Sequence, residues 1–168
     1  MGMKQLFLLR HAKSDWSLTH LNDFDRQLSE RGRNDAPKMA AWLKENNYHP
    51  QHVLCSPAKR TVETLELIAN TIDINIKEVR YPEELYLANS KKLIEFISAL
   101  PESTNSAMII AHNPGLDVLL EKLVEGPLPI NEKDKLMTTA AFAEIHLPNW
   151  SSPRGELKKL VRPKEINA

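Results

Sequence analysis

A short apolar run, Leu6-Phe7-Leu8-Leu9, stops abruptly on Arg10-His11, and about a hundred residues later Ala107-Met108-Ile109-Ile110-Ala111 stops on His112-Asn113-Pro114-Gly115. Runs this short, bounded by polar residues, read as strands buried on both faces of a sheet. Open parallel sheets place their ligand crevice outside the carboxyl ends of the strands. The pair therefore predicts two histidines delivered to one edge, with Arg10 beside the first.

The chain between and after these runs alternates accordingly. Asp15 to Gln27 has no clear period and reads as a loop close to the crevice. Ser29 is a candidate N-cap for a helix reaching Asn46 or Asn47, with Ala36, Met39, Ala40 and Leu43 on one apolar face. Pro37 fits that helix only if the first turn lies just before it or the helix kinks there. His52 to Ser56 is a second strand, stopped by Pro57, and Lys59 to Ala69 an amphipathic helix. Ile74 to Val79, rich in β-branched residues, predicts a further brief strand followed by a loop over Tyr81 to Ala88. Ser90 is a candidate cap for a helix over Lys92 to Leu100, and Gly115 to Val124 reads as the helix after the second histidine. Gly126 to Lys135 is loop, and Thr139 to Leu147 and Gly155 to Val161 are final strands around a long turn. The pattern predicts an α/β fold in one domain over 3–168, with a mostly parallel sheet covered on both faces and an antiparallel edge.

Composition bounds the partners. The formal net charge of zero gives no basic field for nucleic acid or anionic lipid, so an anion site has to be local. One cysteine excludes an internal disulfide framework and fits a reducing cytoplasm. No stretch reaches the ~20 apolar residues of a membrane span, and no signal-peptide pattern opens the chain. Met1-Gly2, ahead of a second methionine, are left out of the fold. Nothing in the sequence specifies an oligomeric state.

Two histidines and two arginines gathered at one edge suit a phosphoryl group. Its oxygens need fixed donors in a geometry that guanidinium forks supply, and Arg10 and Arg60 can reach them from two strand ends. Arg60 falls in the first turn of its helix, where free N–H groups and the dipole favour anions. His11 is then a candidate nucleophile, kept neutral by its cationic neighbours. His112 is a donor that strengthens its contact as charge shifts. Glu84 is the best-placed general acid for a poor leaving group, with Glu83 its rival. Lys13 and Arg26 lie near enough in sequence to reach substrate. No metal is expected, because no histidines stand at ligand spacing and no cysteine joins them. His20, His49, His52 and His146 have no partner motif, and Cys55, inside a strand, reads as buried filler.

Four segments together, the strand ending in Arg10-His11-Ala12-Lys13-Ser14, Ser56-Pro57-Ala58-Lys59-Arg60-Thr61-Val62-Glu63-Thr64, Glu84-Leu85-Tyr86, and His112-Asn113-Pro114-Gly115, resemble the histidine phosphatase superfamily, which includes the cofactor-dependent phosphoglycerate mutases. The short chain and the form of the first and last segments look most like its SixA-type phosphohistidine phosphatase branch. The resemblance runs from Lys4 to about Val161. It implies a phosphoglycerate mutase-like three-layer α/β/α sandwich, no metal or cofactor, and a covalent phosphohistidine intermediate on His11. It places Arg10, Arg60 and His112 around the phosphate, with Glu84 as the family's acid. Ala12 stands where the family usually has glycine, so an ordinary φ is expected there. The implied substrate is a phosphorylated protein carrying phosphohistidine. A small-molecule phosphomonoesterase or mutase of the same superfamily is the nearer rival, and a non-catalytic phosphate-recognition module the rival from another class. A nucleotide-binding domain has neither the Gly-rich phosphate loop nor the dinucleotide fingerprint it would need.

Overall fold

The computed structural model describes residues 2–166. The expected domain end at 168 lies two residues beyond that range. Among the described residues, nine helices and strands succeed one another: β1 (Lys4–Arg10), α1 (Glu30–Glu45), β2 (His52–Cys55), α2 (Lys59–Ala69), α3 (Ser90–Ser98), β3 (Ser106–Ala111), α4 (Gly115–Leu123), β4 (Phe142–Leu147) and β5 (Glu156–Val161). The five strands form one sheet in the order β2-β3-β1-β4-β5. β2, β3 and β1 run parallel, whereas β4 pairs antiparallel with β1 and β5 antiparallel with β4. The parallel half thus lies at the β2 side and the antiparallel strands close the other.

Side chains alternate across β1. Leu6 and Leu8 enter one core with α3 and α4, while Phe7 and Leu9 enter a second with α1 and α2. Helices therefore cover both faces, which is the expected three-layer arrangement. Two glycines let the layers close near the strand ends. A Cβ on Gly32 would collide with the carbonyl oxygen of Lys13, and one on Gly115 with that of Ala88. Only a residue without a side chain brings α1 and α4 that close to neighbouring backbone.

Three expectations need correction, and Pro37 takes an interior position in its helix. Ile74 to Val79 is not a strand: Asn75 caps a short 3-10 turn over Ile76–Glu78, its Oδ1 accepting from the Lys77 N–H at 3.1 Å. Only Arg80 pairs with β2, as an isolated bridge to Leu54. The β-branched run had the composition of a strand, but the asparagine offered its backbone a competing turn. α3 is capped by Asn89 rather than Ser90 and starts one residue later than that cap, ending at Ser98. Pro37 sits eighth in α1, on an exposed face, and the helix runs through it with one backbone hydrogen bond forgone. β4 begins at Phe142, not Thr139, because Ala140 has φ 60 and turns the chain toward the strand ends.

Candidate active site

The parallel register dictates which residues meet. Arg10 pairs with Ala111 and Cys55 with Ile110, so His11, Ser56 and His112 all emerge at the carboxyl edge of β1, β2 and β3. The two imidazoles lie with ring centroids 5.3 Å apart and planes inclined at 53°. Both are buried, His11 at 7 % and His112 at 2 % exposure. The two histidines predicted to share an edge therefore do so, within reach of one small ligand.

The protonation of His11 is fixed locally. Its Nδ1 lies 2.7 Å from the carbonyl oxygen of Ala12, which only accepts, so Nδ1 carries the proton and Nε2 the lone pair. Burial pushes the His11 pKa down to about 3, helped by His112, Arg60 and Arg10 and opposed by that carbonyl. His112 is likewise pushed to about 3 by burial, then by Arg60 and Arg10, with Asp23 pulling the other way. Near neutral pH both rings are uncharged. Ala12 keeps an ordinary backbone, as expected, since the positive-φ residues are Asn47, Asp73, Leu87, Gly126, Asp134 and Ala140. Its N–H donates at 3.0 Å to Thr64 Oγ1, which donates in turn to the carbonyl of Arg60 at 2.7 Å. One hydroxyl on α2 thereby ties the backbone after His11 to the residue that carries the second arginine.

Arg60 is 5 % exposed and lies in the first turn of α2. Its Nη1 donates to the Asp23 carbonyl at 2.7 Å and its Nη2 to Asp23 Oδ2 at 3.0 Å. The same Oδ2 accepts from the Tyr86 hydroxyl at 2.5 Å, and Oδ1 accepts from Arg26 Nη2 at 3.1 Å. Burial alone would raise the Asp23 pKa, but these donors outweigh it and bring it to about 2. Asp23 is therefore a carboxylate held among two guanidiniums and a phenol. Arg26 also stacks on Trp16, with Cζ 3.6 Å from the ring centroid.

Arg10 is anchored differently. Its Nη1 donates to the Met137 carbonyl at 2.9 Å, and Asn113 Nδ2 donates to the same oxygen at 2.9 Å. The Met137 N–H reaches Asp117 Oδ1 at 3.1 Å, and Asn113 Oδ1 accepts from the Asp117 N–H at the start of α4. The Ala140 N–H donates to the His11 carbonyl at 3.0 Å. The segment from 136 to 141 is thus laced into the strand ends. Burial lowers the pKa of Arg10, with Asp117 raising it and Arg60 adding to the fall.

His112 Nε2 lies 2.7 Å from Ser56 Oγ, while its Nδ1 and the Nε of Arg10 are buried without a hydrogen-bond partner among the described residues. Lys13 is half-buried, its carbonyl accepting from the Ser29 N–H at 2.9 Å and the Ser29 hydroxyl at 3.1 Å. Of the predicted site residues, His11, His112, Arg10 and Arg60 come together, with Arg26 joined to them through Asp23. Glu84 does not join them. Its carboxylate is 68 % exposed and paired at 2.8 Å with Lys92, and Glu83, beside it on the same loop, is exposed as well. The missing third strand leaves this loop on a 3-10 turn, Glu83–Leu85, whose buried residue is Leu85, and it contributes Tyr86 to the cluster instead. Asp23, Tyr86, Ser56 and Thr64 join the site without having been assigned a role from the sequence: Ser56 follows the end of β2 but carries no charge to mark it, and the other three stand in no spacing that singles them out. Cys55 is fully buried, with its thiol pKa raised chiefly by burial, consistent with filler. No cluster of three or more metal-ligating side chains occurs among the described residues.

Comparison with known proteins gives this geometry a context. Residues 6–86 match the model of the histidine phosphatase superfamily (branch 1). An uncharacterised protein of Mycobacterium leprae (strain TN) is 34% identical over 114 residues, 66% of this chain and 68% of that one. The phosphohistidine phosphatase SixA of Escherichia coli (strain K12) is 28% identical over 162 residues, 92% of this chain and 96% of the relative. A solved structure of the protein histidine phosphatase SixA complexed with tungstate superposes with a TM-score of 0.83 at 25% identity, covering 97% of this chain and 99% of that one.

Proposed function

Because this chain belongs to the histidine phosphatase superfamily, we propose that it is a phosphatase that hydrolyses protein phosphohistidine through a covalent intermediate on His11. The observation that carries the reading is the pair of neutral imidazoles, 5.3 Å between centroids, flanked by the guanidiniums of Arg10 and Arg60. His11 Nε2 holds the free lone pair and attacks phosphorus in line, forming a P–N bond as the substrate's P–N bond breaks. The departing imidazole takes a proton from water. Water then adds to phosphorus, His11 leaves, and phosphate is released. Arg10 and Arg60 hold the equatorial oxygens, and His112 donates from beside them. Among the described residues three buried side-chain polar atoms have no partner, the Nε of Arg26 and, beside the histidine pair, His112 Nδ1 and Arg10 Nε; the last two support an oxyanion there, since such atoms are rare in folded proteins. Lys13 and Arg26 contact the substrate around the phosphoryl.

The choice of substrate depends on the acid. An imidazole leaving group asks little of one, whereas an alkoxide needs a positioned carboxylic acid. Glu84 faces solvent and Asp23 is ionised far below neutrality, so the geometry favours phosphohistidine over phosphate esters. The SixA relatives, named for phosphohistidine, agree in chemistry. The reaction draws on no metal or cofactor. Among the described residues no helix is long and apolar enough to cross a membrane. A cytoplasmic location is proposed, as a chain with one cysteine and so no internal disulfide is at home in a reducing compartment.

The test is a matched pair of peptides carrying phosphohistidine or phosphoserine. The expected result is turnover of the first at least tenfold faster, with an acid-labile phosphoenzyme that disappears in His11→Ala. Faster ester hydrolysis would reassign the enzyme to small esters, and tight phosphopeptide binding without turnover would make it a recognition module.

A further inference from the structure

The buried histidines open beside a cationic groove that the phosphoryl chemistry does not use up. Arg10 lines one cleft of about 440 Å³ together with Lys13, Arg31 and Lys135. A second cleft, of about 420 Å³, shares Arg31, Lys135, Thr138 and Thr139 with it and adds Lys133 and Lys164. The two are therefore continuous, and each alone is of a size that takes a drug-sized ligand. In a chain of zero net charge this is a local concentration of positive charge.

Pairing within the groove leaves its excess charge in the lysines. Of its four carboxylates, Asp35 lies 3.5 Å from Arg31 and Glu165 lies 3.0 Å from Arg162, which leaves Asp117, whose Oδ1 accepts from the Met137 N–H, and Glu132 against Arg10 and the lysines. Lys13, Lys133, Lys135 and Lys164 make no ion pair among the described residues. A cleft lined by one sign of charge focuses its field and raises the local concentration of counter-charged ligand.

The groove is also rigidly built. Arg162 is 6 % exposed and donates to the carbonyls of Leu136 at 2.9 Å, Lys135 at 3.1 Å and Pro129. That one buried guanidinium fastens the loop presenting Lys135, while Met137 fastens its end to Arg10. On the other wall, the close approach of Gly32 and the two bonds from Ser29 fix the backbone of Lys13 against the start of α1, where Arg31 sits.

We propose that this groove binds an acidic stretch of the polypeptide that carries the phosphorylated residue. Lys13, Arg31 and Lys135 meet the carboxylates nearest the phosphoryl, and Lys133 and Lys164 meet those farther along. The continuous length of two clefts favours an extended chain over a compact metabolite. The inference rests on the phosphatase reading for what happens at His11 and adds what selects the substrate.

The test uses phosphohistidine peptides flanked by Asp and Glu or by Asn and Gln. Exposed ion pairs are individually weak, so the expected gain in kcat/KM is about threefold for each acidic residue and about tenfold for two. The ratio between the peptides should fall toward one in the Arg31→Glu, Lys135→Glu double variant, and in wild type as salt rises to about 0.5 M. Lys135→Gln, which leaves the loop's backbone bonds in place, should lower the ratio part-way if the double variant folds poorly. Binding of the same peptides with a non-hydrolysable phosphohistidine analogue, followed by calorimetry, gives a readout independent of turnover. Equal kcat/KM and equal binding for both peptides would overturn the groove while leaving the phosphatase intact. Preferential binding of the acidic peptide with no turnover of either would keep the groove and remove the phosphatase reading. An equal gain for a small phosphoramidate bearing a single carboxylate would overturn the polypeptide as occupant.

Discussion

Two loops reach the histidine pair, and each holds an arginine by a main-chain carbonyl, but only one of them adds a charge. The loop over 15–27 meets Arg60 with the Asp23 carbonyl and, in addition, with a charge, the Asp23 carboxylate, whose oxygens Arg26 and Tyr86 share. The segment over 126–139 meets Arg10 with a neutral dipole, the Met137 carbonyl, itself steadied by Asn113. A neutral carbonyl orients a guanidinium and leaves its charge available to substrate. A carboxylate orients it and also competes with any arriving anion. The Asp23 side therefore sets how tightly the site grips a phosphoryl group, and the Met137 side sets where it is gripped.

That contrast is open to attack at several sizes of effect. Arg10→Lys and Arg60→Lys should each lower kcat/KM for a phosphohistidine peptide by about a hundredfold or more, because an ammonium cannot reproduce a fork that is both held and holding. A loss below tenfold at either would show that its guanidinium does not touch the reacting group.

The buried imidazoles between the loops give a pH signature. In the fold both stay neutral down to about 3, whereas in the unfolded chain they protonate near 6.5. The unfolded state thus binds more protons across that interval, and stability falls as pH drops from about 6.5 toward 3, by up to about 1.4 kcal/mol per pH unit for each histidine. Asp23, depressed to about 2 from 3.8, works in the same direction only at the acid end. Urea unfolding midpoints at a series of pH values check the slope. Ring-proton NMR should find two histidines that do not titrate between pH 5 and 8.

Asn113→Ala removes a donor from Met137 and an acceptor from the start of α4, and should cost about 1–2 kcal/mol of stability. Denaturant curves measure it, and an unchanged midpoint would mean that the Met137 side holds itself without the asparagine. Asp23→Asn keeps an acceptor for the arginines but deletes the competing charge. It should tighten vanadate or tungstate binding about threefold to tenfold, and weaker binding would show that the carboxylate serves only to position Arg60. Smallest of all, Glu84→Gln should change kcat/KM for phosphohistidine less than about twofold, since the side chain sits in an exposed ion pair. A larger loss would bring the loop back as a source of acid.

Legibility in the sequence divides along the same line. The strand ends were legible because an apolar run terminating on a charged residue has few places to go in a parallel sheet, and that brought Arg10, His11 and His112 together without further help. Arg60 was legible from its position just past a Ser-Pro stop at a helix start. Asp23 was not, because a loop already containing Asp15, Asp25 and Arg26 offers no spacing that singles out one carboxylate. Glu84 was misplaced by the same error that made Ile74 to Val79 a strand: alternation of β-branched residues reports fitness for a sheet, not whether an asparagine turns the backbone first. The Met137 contact runs through a backbone carbonyl, and no residue type announces that.

The Ala12 carbonyl that parks a proton on the far nitrogen of His11 also bears on the fate of the adduct. A ring that receives a phosphoryl on Nε2 while still protonated on Nδ1 is a phosphoimidazolium, and it departs as a neutral base when water arrives. One main-chain oxygen thus inclines the adduct to be short-lived, so that the protein discards phosphate instead of storing it for another acceptor.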